Sequence, residues 1–238
     1  MLIDSHCHLT KRFYEDPKLI IQNAVEQGVG KMICVGTSLE DSKEAIDVAN
    51  TYPEVYAAVG VHPEETCNNW GEFERLISRP KVVAIGECGL DNKVGSRVQK
   101  ETFQRQIDLA KKYDKPLIIH IRDAWEEVKE FDLSLNRGVF HCYSGPPEVP
   151  PNFYVSFAGN VTFKNAPNLQ AIAKLIPLSS ILVETDSPLL SPVPFRGKQN
   201  EPKNVKIIAE YIASLKDLNI EEVEQVTSQN AKKLFGIN

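Results

Sequence analysis

The chain has 238 residues, 42% of them apolar and 25% charged, which suffices for the core of a globular domain. Its 27 basic and 32 acidic side chains give a net charge of −5, which argues against a large basic surface for non-specific nucleic-acid binding. No run approaches the ~18 apolar residues that span a bilayer, and the N-terminus lacks signal-peptide features, so we expect a cytoplasmic protein. The five cysteines form no C-x-x-C pair, so neither a disulfide framework nor a thiolate zinc site is expected.

Short apolar runs alternate with amphipathic segments along the whole chain. Eight runs are predicted as strands, at 2–8, 31–37, 55–62, 81–89, 116–122, 138–144, 153–159 and 180–187. Helical spacing of apolar residues predicts helices at 16–28, 39–50 and 98–114, and two more at about 203–218 and 220–234.

Eight largely apolar strands that alternate with helices predict a parallel TIM (β/α)8 barrel. An open, doubly wound sheet is the alternative, but no G-x-G-x-x-G motif follows the first strand. Because no linker, repeat or low-complexity tract interrupts the pattern, we expect one domain over 1–238. Four prolines between Ser144 and Tyr154 predict that the helix after the sixth strand is missing or very short.

Polar side chains gather at the predicted C-terminal ends of the strands. All five histidines lie there, and so do two carboxylates; the set comprises His6, His8, His62, Glu87, His120, His141 and Asp186. In a barrel this rim is where the βα loops form the functional site. Side-chain alternation directs His6 and His8 to the same face. It also predicts that Cys7, Cys88 and Cys142 point away from the site, as buried packing residues.

Nitrogen and carboxylate ligands without thiolate suit Zn²⁺, Mn²⁺ or Co²⁺ and, with more water, Mg²⁺. Six candidate ligands are too many for one tetrahedral ion, but they suit two divalent metal ions ~3.5–4 Å apart. Glu87 is predicted to bridge the ions, because the fourth strand lies between the two halves of the set. One ion would take His6, His8, Glu87 and Asp186, and the other Glu87, His120 and His141.

Several motifs resemble those of the TatD-like metal-dependent deoxyribonucleases of the amidohydrolase superfamily. They are "DSHCHL", "GVHPEE", "AIGECGLD", "KPLIIHIRDA", "FHCYSG" and, most specific, "ETDSP" followed by P-x-R-G-x-x-N-x-P. The match runs from Ile3 to Ile237. The resemblance implies a TIM barrel with two divalent ions that hydrolyses DNA phosphodiesters, often as a 3′ to 5′ exonuclease. It also implies the six ligands given above, with His62 as a phosphate or substrate contact.

Three features depart from the family pattern: Asn92 and Lys93 after "GLD", Phe195 in place of a histidine, and the short segment after "HCYSG". All three concern the rim, and therefore the choice of substrate. Asp186 is predicted to orient the attacking water and relay its proton. Further substrate contacts are predicted for Arg122 and Arg196, which would hold flanking phosphates, and for Tyr143, which would stack on a base.

Two other functions fit the same residues. The first is hydrolysis of a small ester, lactone, amide or other phosphoester on the same two-metal centre, since a fold alone does not fix the chemistry. The second is a non-catalytic, metal-stabilised scaffold that binds a partner; the complete ligand set speaks against it. The predicted partner of the enzyme is single-stranded DNA or a 3′ end, with no membrane involved.

Overall fold

The computed structural model describes residues 1–95 and 98–238. Its eight strands form a single sheet in which each strand pairs in parallel with the next one along the chain. They are β1 (Leu2–Cys7), β2 (Val29–Val35), β3 (Val55–Val59), β4 (Val82–Asp91), β5 (Leu117–Arg122), β6 (Gly138–Phe140), β7 (Phe153–Phe157) and β8 (Ile181–Val183). The predicted TIM barrel is confirmed.

The sheet closes where β1 meets the segment that follows β8. Cys7 and Ser187 form a parallel bridge there. The backbone amide of Asp186 donates to the carbonyl oxygen of His6 at 2.9 Å, and that of His8 donates to the carbonyl oxygen of Ser187 at 2.8 Å. Closure therefore brings residues that are 180 positions apart in the chain into hydrogen-bonding contact at the rim.

In the described ranges, seven α-helices surround the sheet. They are α1 (Lys18–Glu26), α2 (Leu39–Thr51), α3 (Trp70–Ile77), α4 (Val98–Tyr113), α5 (Pro167–Leu175), α6 (Val205–Lys216) and α7 (Ile220–Phe235). The side chains of Ser38, Asn69 and Asn219 each accept a hydrogen bond from an amide in the first turn of α2, α3 and α7. None of the helices in the described ranges is both long enough and apolar enough to cross a membrane.

Two of the expected crossover helices are reduced. After β5 the chain forms only a 3₁₀ turn, Glu127–Glu130. The described residues 141–152, between β6 and β7, contain no helix, as the four prolines predict. A cavity of about 850 Å³ lies in this region, lined in part by Trp125, Phe131 and Phe140.

The core has two parts. One packs the outward-facing side chains of the strands against the helices, and the other fills the barrel interior with residues such as Ile33, Ala58 and Ile118. Side chains of α7, including Leu234 and Phe235, close the interior core. The rim at the opposite, C-terminal ends of the strands is left for polar side chains.

Candidate metal centre

The orientation of His6 and His8 depends on a local irregularity of β1. Leu2 and Cys7 both pack in the outer core although they are five residues apart, which strict alternation forbids. The pairing register with β2 shifts between Asp4 and Cys7, and this bulge reverses the alternation. His6 and His8 consequently face the rim together, with their Nε2 atoms 3.3 Å apart.

A second irregularity directs Glu87 toward the same point. Ile85 and Cys88 both lie in the outer core, and the register between β4 and β5 shifts between them. Gly89, with a φ of 146°, runs so close to β5 that a β-carbon would collide with the carbonyl oxygen of His120. The close approach brings Glu87 beside the His120 ring.

Three further side chains complete the cluster. His120 lies within β5, whereas His141 immediately follows β6 and Asp186 follows β8. Asp186 adopts a left-handed conformation, with a φ of 52°, that an aspartate tolerates better than most residues. All six side chains that the sequence analysis singled out as ligands therefore meet in one place.

Glu87 lies at the centre of this cluster, with a different pair of imidazoles at each carboxylate oxygen. Its Oε2 is 3.4 Å from Nε2 of His6 and 3.9 Å from Nε2 of His8. Its Oε1 is 2.8 Å from Nδ1 of His120 and 2.9 Å from Nε2 of His141. Asp186 adjoins the first pair only: its Oδ1 is 3.6 Å from His6 and 3.5 Å from His8.

The histidines stabilise the ionised form of the central carboxylates. Burial opposes ionisation, but His141, His62 and His120 hold the pKa of Glu87 well below its usual range. Burial alone would lower the pKa of His141. The carboxylates of Glu87 and Glu184 instead raise the pKa of His141 well above its ordinary value. Glu87 is therefore held as an anion in a buried place, where the protonated form of His141 balances part of its charge.

Acceptor groups behind three of the imidazoles favour the tautomer in which the opposite nitrogen faces the cluster with a lone pair. Nδ1 of His8 lies 2.9 Å from the carbonyl oxygen of Val35, so Nδ1 carries the proton and Nε2 is free to coordinate. Nδ1 of His141 faces Oε1 of Glu184 at 3.4 Å, and Nε2 of His120 faces Oδ2 of Asp91 at 3.4 Å.

His62 differs from these three histidines. Its Nδ1 accepts a hydrogen bond of 3.1 Å from the backbone amide of Glu64. In the neutral ring, Nε2 then carries the proton and points at Oε1 of Glu87 from 3.4 Å. His62 is thus arranged as a hydrogen-bond donor, although its ring lies close enough to Glu87 and His120 to join a ligand group.

The donor set fits divalent metal ions. Within the described ranges, groups of ligand atoms lying within 4.8 Å of one another include His6 with His8 and Glu87, His62 with Glu87 and His120, and His6 with His141 and Glu184. Nε2 of His6 lies 3.3 Å from Nε2 of His8, and Nδ1 of His120 lies 3.0 Å from Nε2 of His141, so each pair is close enough to share a proton or a cation. The nitrogen and oxygen donors, without thiolate, match Zn²⁺, Mn²⁺, Co²⁺ or Mg²⁺.

A pocket of about 570 Å³, which we call the metal pocket, opens above the cluster. Some of the residues that line it were predicted as ligands or substrate contacts, and others were not. His62 and Arg122 lie on its wall, as a substrate contact requires. The Arg122 guanidinium forms an ion pair with the buried Asp91 and lies 3.6 Å from Glu64. The remaining predicted contacts lie elsewhere.

The predicted position of Tyr143, at the site where it would stack on a base, is wrong. It is 1% exposed, its hydroxyl donates to the carbonyl oxygen of Pro146, and its ring packs against Trp125 beside the 850 Å³ cavity. The strand ends at Phe140, and Cys142, with a φ of 45°, turns the chain, so alternation from His141 no longer holds. For the same reason Cys142 is not a buried packing residue: it is half-buried and lines the metal pocket.

Arg196 also lies outside the lining of this pocket. Its guanidinium stacks 4.2 Å from the centre of the Phe163 ring, and its Nη1 donates to Oδ1 of Asn165. The side chain is exposed on the loop that follows Asp186. Its present contacts therefore do not direct it toward a substrate held at the cluster.

Sequence reasoning missed three contributors to the site. Asp91 is fully buried behind His120, and its four-residue spacing from Glu87 along β4 was the available signal. Arg12 and Phe13 line the pocket from the loop after β1, where no periodicity marks them. Loop residues of this kind become recognisable only when the fold places them.

Comparison with known proteins agrees with this site. The family model described as TatD related DNase matches residues 3–236. The metal-dependent hydrolase YabD of Bacillus subtilis is 42% identical over the whole of both chains, and YcfH of Escherichia coli K12 is 37% identical over the whole of this chain and 96% of its own. Both carry the word "uncharacterized" in their names.

Solved structures show the same relationship. The TatD homologue YjjV of Escherichia coli superposes with a TM-score of 0.90 at 29% identity, covering 100% of this chain and 98% of its own. A TatD family hydrolase of Entamoeba histolytica has a TM-score of 0.85 over 98% and 97% of the two chains; at 24% identity it supports the fold alone. From its barrel, its histidine and carboxylate cluster and these relatives, the chain belongs to the TatD family of metal-dependent hydrolases.

Proposed function

We propose that this hydrolase is a deoxyribonuclease that cleaves phosphodiester bonds at a two-metal centre, in the manner of a 3′ to 5′ exonuclease. The observation that carries the proposal is the position of Glu87: its Oε2 faces His6 and His8, whereas its Oε1 faces His120 and His141 and also lies 3.4 Å from His62. A carboxylate in this position can bridge two cations, and a pair of cations suits in-line displacement at phosphorus.

The residues of the chain divide the work. His6, His8 and Asp186 would hold one cation, His120 and His141 would hold the other, and Glu87 would be shared by both. Divalent ions held there supply Lewis-acid polarisation of the phosphoryl oxygen and lower the pKa of a water molecule. Asp186 orients the attacking water and accepts its proton, while His62 donates a hydrogen bond from Nε2 to the substrate phosphate.

Arg122 binds a flanking phosphate oxygen from the pocket wall. Asp91 forms an ion pair with Arg122 and also adjoins His120, so the guanidinium is held close to His120. We propose single-stranded DNA or a 3′ end as the partner, because a single strand can enter a pocket of about 570 Å³ more easily than a duplex. The five cysteines are free, which suits a reducing, cytoplasmic location.

One observation favours a second candidate, the hydrolysis of a small ester, lactone, amide or other phosphoester. Both arginines on the pocket wall already have acidic partners: Arg12 lies 3.0 Å from Glu65, and Arg122 pairs with Asp91 and approaches Glu64. The wall therefore offers little uncompensated positive charge to a long polyanion. The substrate comparison described next separates the two candidates.

The proposal is tested with single-stranded DNA blocked at either the 3′ or the 5′ end, alongside a panel of small esters and amides. We expect a chelator to abolish cleavage, metal add-back to restore it, and a 3′ block to prevent it. Glu87→Gln and Asp186→Asn should each lower kcat/KM on DNA by about 100-fold or more in buffer containing the metal.

Glu101→Gln, an exposed carboxylate on α4, is the matched control and should stay within about twofold of the wild type. Near wild-type turnover by either site variant, with two ions bound, would contradict the scheme. Turnover of a small ester but of no DNA strand would favour the second candidate function over the deoxyribonuclease.

A further inference from the structure

The two sides of the metal pocket differ in chemistry. Beside His120 the wall is polar, with Arg122 and Glu64. Beside His8 and Asp186 it carries three apolar side chains, Phe13, Leu189 and Leu190, which we call the apolar wall. A phosphodiester hydrolase has no use for apolar side chains in binding the phosphate itself, so this wall needs another explanation.

Phe13 is held firmly at this position. The backbone amides of Phe13 and Tyr14 both donate to the carbonyl oxygen of Thr10 at 3.0 Å, which closes a tight turn. Thr10 donates a side-chain hydrogen bond to the buried Asp41, and the hydroxyl of Tyr14 donates to the carbonyl oxygen of Asn200 at 2.7 Å. Both ends of the turn are thus anchored, so the Phe13 ring is pre-oriented before a ligand enters.

The ring lies beside the metal cluster and stays accessible. Its centre is 4.8 Å from the centre of the His8 ring, and it is only half-buried. The guanidinium of Arg12 lies 5.7 Å from its centre and also lines the pocket. Phe13 therefore presents an aromatic surface within one side chain's length of the groups that would hold the scissile phosphate.

Leu189 extends the same surface from the other end of the chain. Its backbone amide donates to the carbonyl oxygen of Asp186 at 2.9 Å, so its position is tied to the candidate proton acceptor. The side chain is 54% exposed. An exposed leucine and a half-exposed phenylalanine on the wall of a charged pocket indicate a ligand that has an apolar part as well as an anionic one.

We propose that the apolar wall stacks the base of the nucleotide next to the scissile phosphate, with Phe13 as the principal contact; this inference rests on the proposed deoxyribonuclease function. A nucleotide carries a flat aromatic base beside its phosphate, and every base offers a π face. Stacking on Phe13 would therefore favour nucleotides over other phosphoesters without selecting a sequence. Phe13 acts here as a substrate-binding residue and leaves the chemical step to the metal cluster.

The experiment compares two single strands that differ only in their bases. One is an ordinary oligonucleotide, and the other carries two abasic residues at each end, so that digestion from either end meets the same change. We measure kcat/KM for both strands with the wild type, Phe13→Ala and Phe13→Trp, and we determine the metal content of each variant. Tyr211→Ala, at a half-buried aromatic residue on α6 that is outside the pocket lining, is the matched control.

We expect the wild type to cleave the abasic strand about tenfold less efficiently than the ordinary strand. Phe13→Ala should lose about tenfold on the ordinary strand, almost nothing on the abasic strand, and no metal. Phe13→Trp and Tyr211→Ala should retain the preference for bases. The difference between the strands is the decisive result, because loss of packing against His8 would affect both strands alike.

Equal losses on both strands in Phe13→Ala would show that Phe13 only supports His8, which overturns the stacking proposal and leaves the nuclease function intact. A wild type that cleaves both strands equally well would overturn it too. If the wild type, loaded with metal, cleaves neither strand, the deoxyribonuclease function itself fails, and the base contact fails with it.

Discussion

Asp91 shows how a carboxylate behind the cluster can orient a candidate ligand, His120, without facing the metal position itself. It is fully buried, its Oδ2 lies 3.4 Å from Nε2 of His120, and it also accepts from Arg122. A carboxylate in this position orients the ring, favours the tautomer with a lone pair on Nδ1, and raises the basicity of the ligand. One residue therefore joins a candidate metal ligand, His120, to a proposed substrate contact, Arg122.

We predict that Asp91→Asn lowers the affinity for one metal ion by about 10–100-fold, because partners behind a ligating histidine have effects of this size. Metal affinity is measured by competition with a chromogenic chelator. Asp47→Asn, an exposed aspartate on α2, is the control and should bind metal like the wild type. Unchanged affinity for both ions in Asp91→Asn would show that His120 does not need this partner.

At the scale of elements, the sequence predicts the strands well because a parallel sheet covered on its outer face by helices requires apolar runs. The same pattern does not reveal pairing register, so the bulges near His6 and Glu87 could not be predicted. The helices α3 and α5 were not singled out, although Asn69 and Glu72 at the start of α3 form an N-cap pair in the sequence. Tyr143 was misplaced because β6 is only three residues long.

The positions of the six candidate ligands follow from the sequence more directly than those of the loop residues that line the pocket, for a physical reason. Strand ends meet at one rim in any closed parallel barrel, so residues such as His120 are placed by topology alone. Arg12 and Phe13 lie on a loop whose course depends on hydrogen bonds to Thr10 and Thr37. Nothing in the local sequence pattern specifies those bonds, and such residues are therefore seen only in the structure.

The carboxyl end of α2 illustrates how a distant side chain can complete an element. No basic residue lies in its last turn. The ammonium group of Lys81, which precedes β4, supplies the missing charge by donating to the carbonyl oxygens of Ala49 at 2.7 Å, Tyr52 at 2.9 Å and Val55 at 3.1 Å. A cation at this end of a helix interacts favourably with the helix dipole and with unpaired carbonyl groups.

We predict that Lys81→Met lowers the free energy of unfolding by about 1–3 kcal/mol, since it removes three charge-assisted hydrogen bonds from a half-buried site. The measurement is denaturant unfolding followed by circular dichroism. Lys206→Met, at an exposed position on α6, is the matched control and should change the stability little. A loss below about 0.5 kcal/mol in Lys81→Met would mean that water replaces the ammonium group without cost.

At the scale of the whole molecule, the cluster lies where the barrel closes. His6 lies in the first strand, His8 directly follows it, and Asp186 follows the last strand. These two segments also exchange backbone hydrogen bonds at this rim. Glu87 and His120 come from the middle of the sheet, across the barrel opening. Cations bound by this set would link the two ends of the chain through its centre, so metal binding and barrel closure should reinforce each other.

We predict that metal loading raises the Tm of the protein and that a chelator reverses the change. Each ion that binds only the folded chain, at a free concentration 100 times its Kd, stabilises the fold by about 2.7 kcal/mol. For a chain of this length that corresponds to about 5–10 °C per ion. Glu87→Gln should lose most of this increment while keeping a cooperative transition, because it removes the shared ligand and leaves the rest of the cluster in place. If the wild type melted at the same temperature with and without bound metal, the barrel would close independently of the ions. The ions would then have no role in holding the two ends of the chain together.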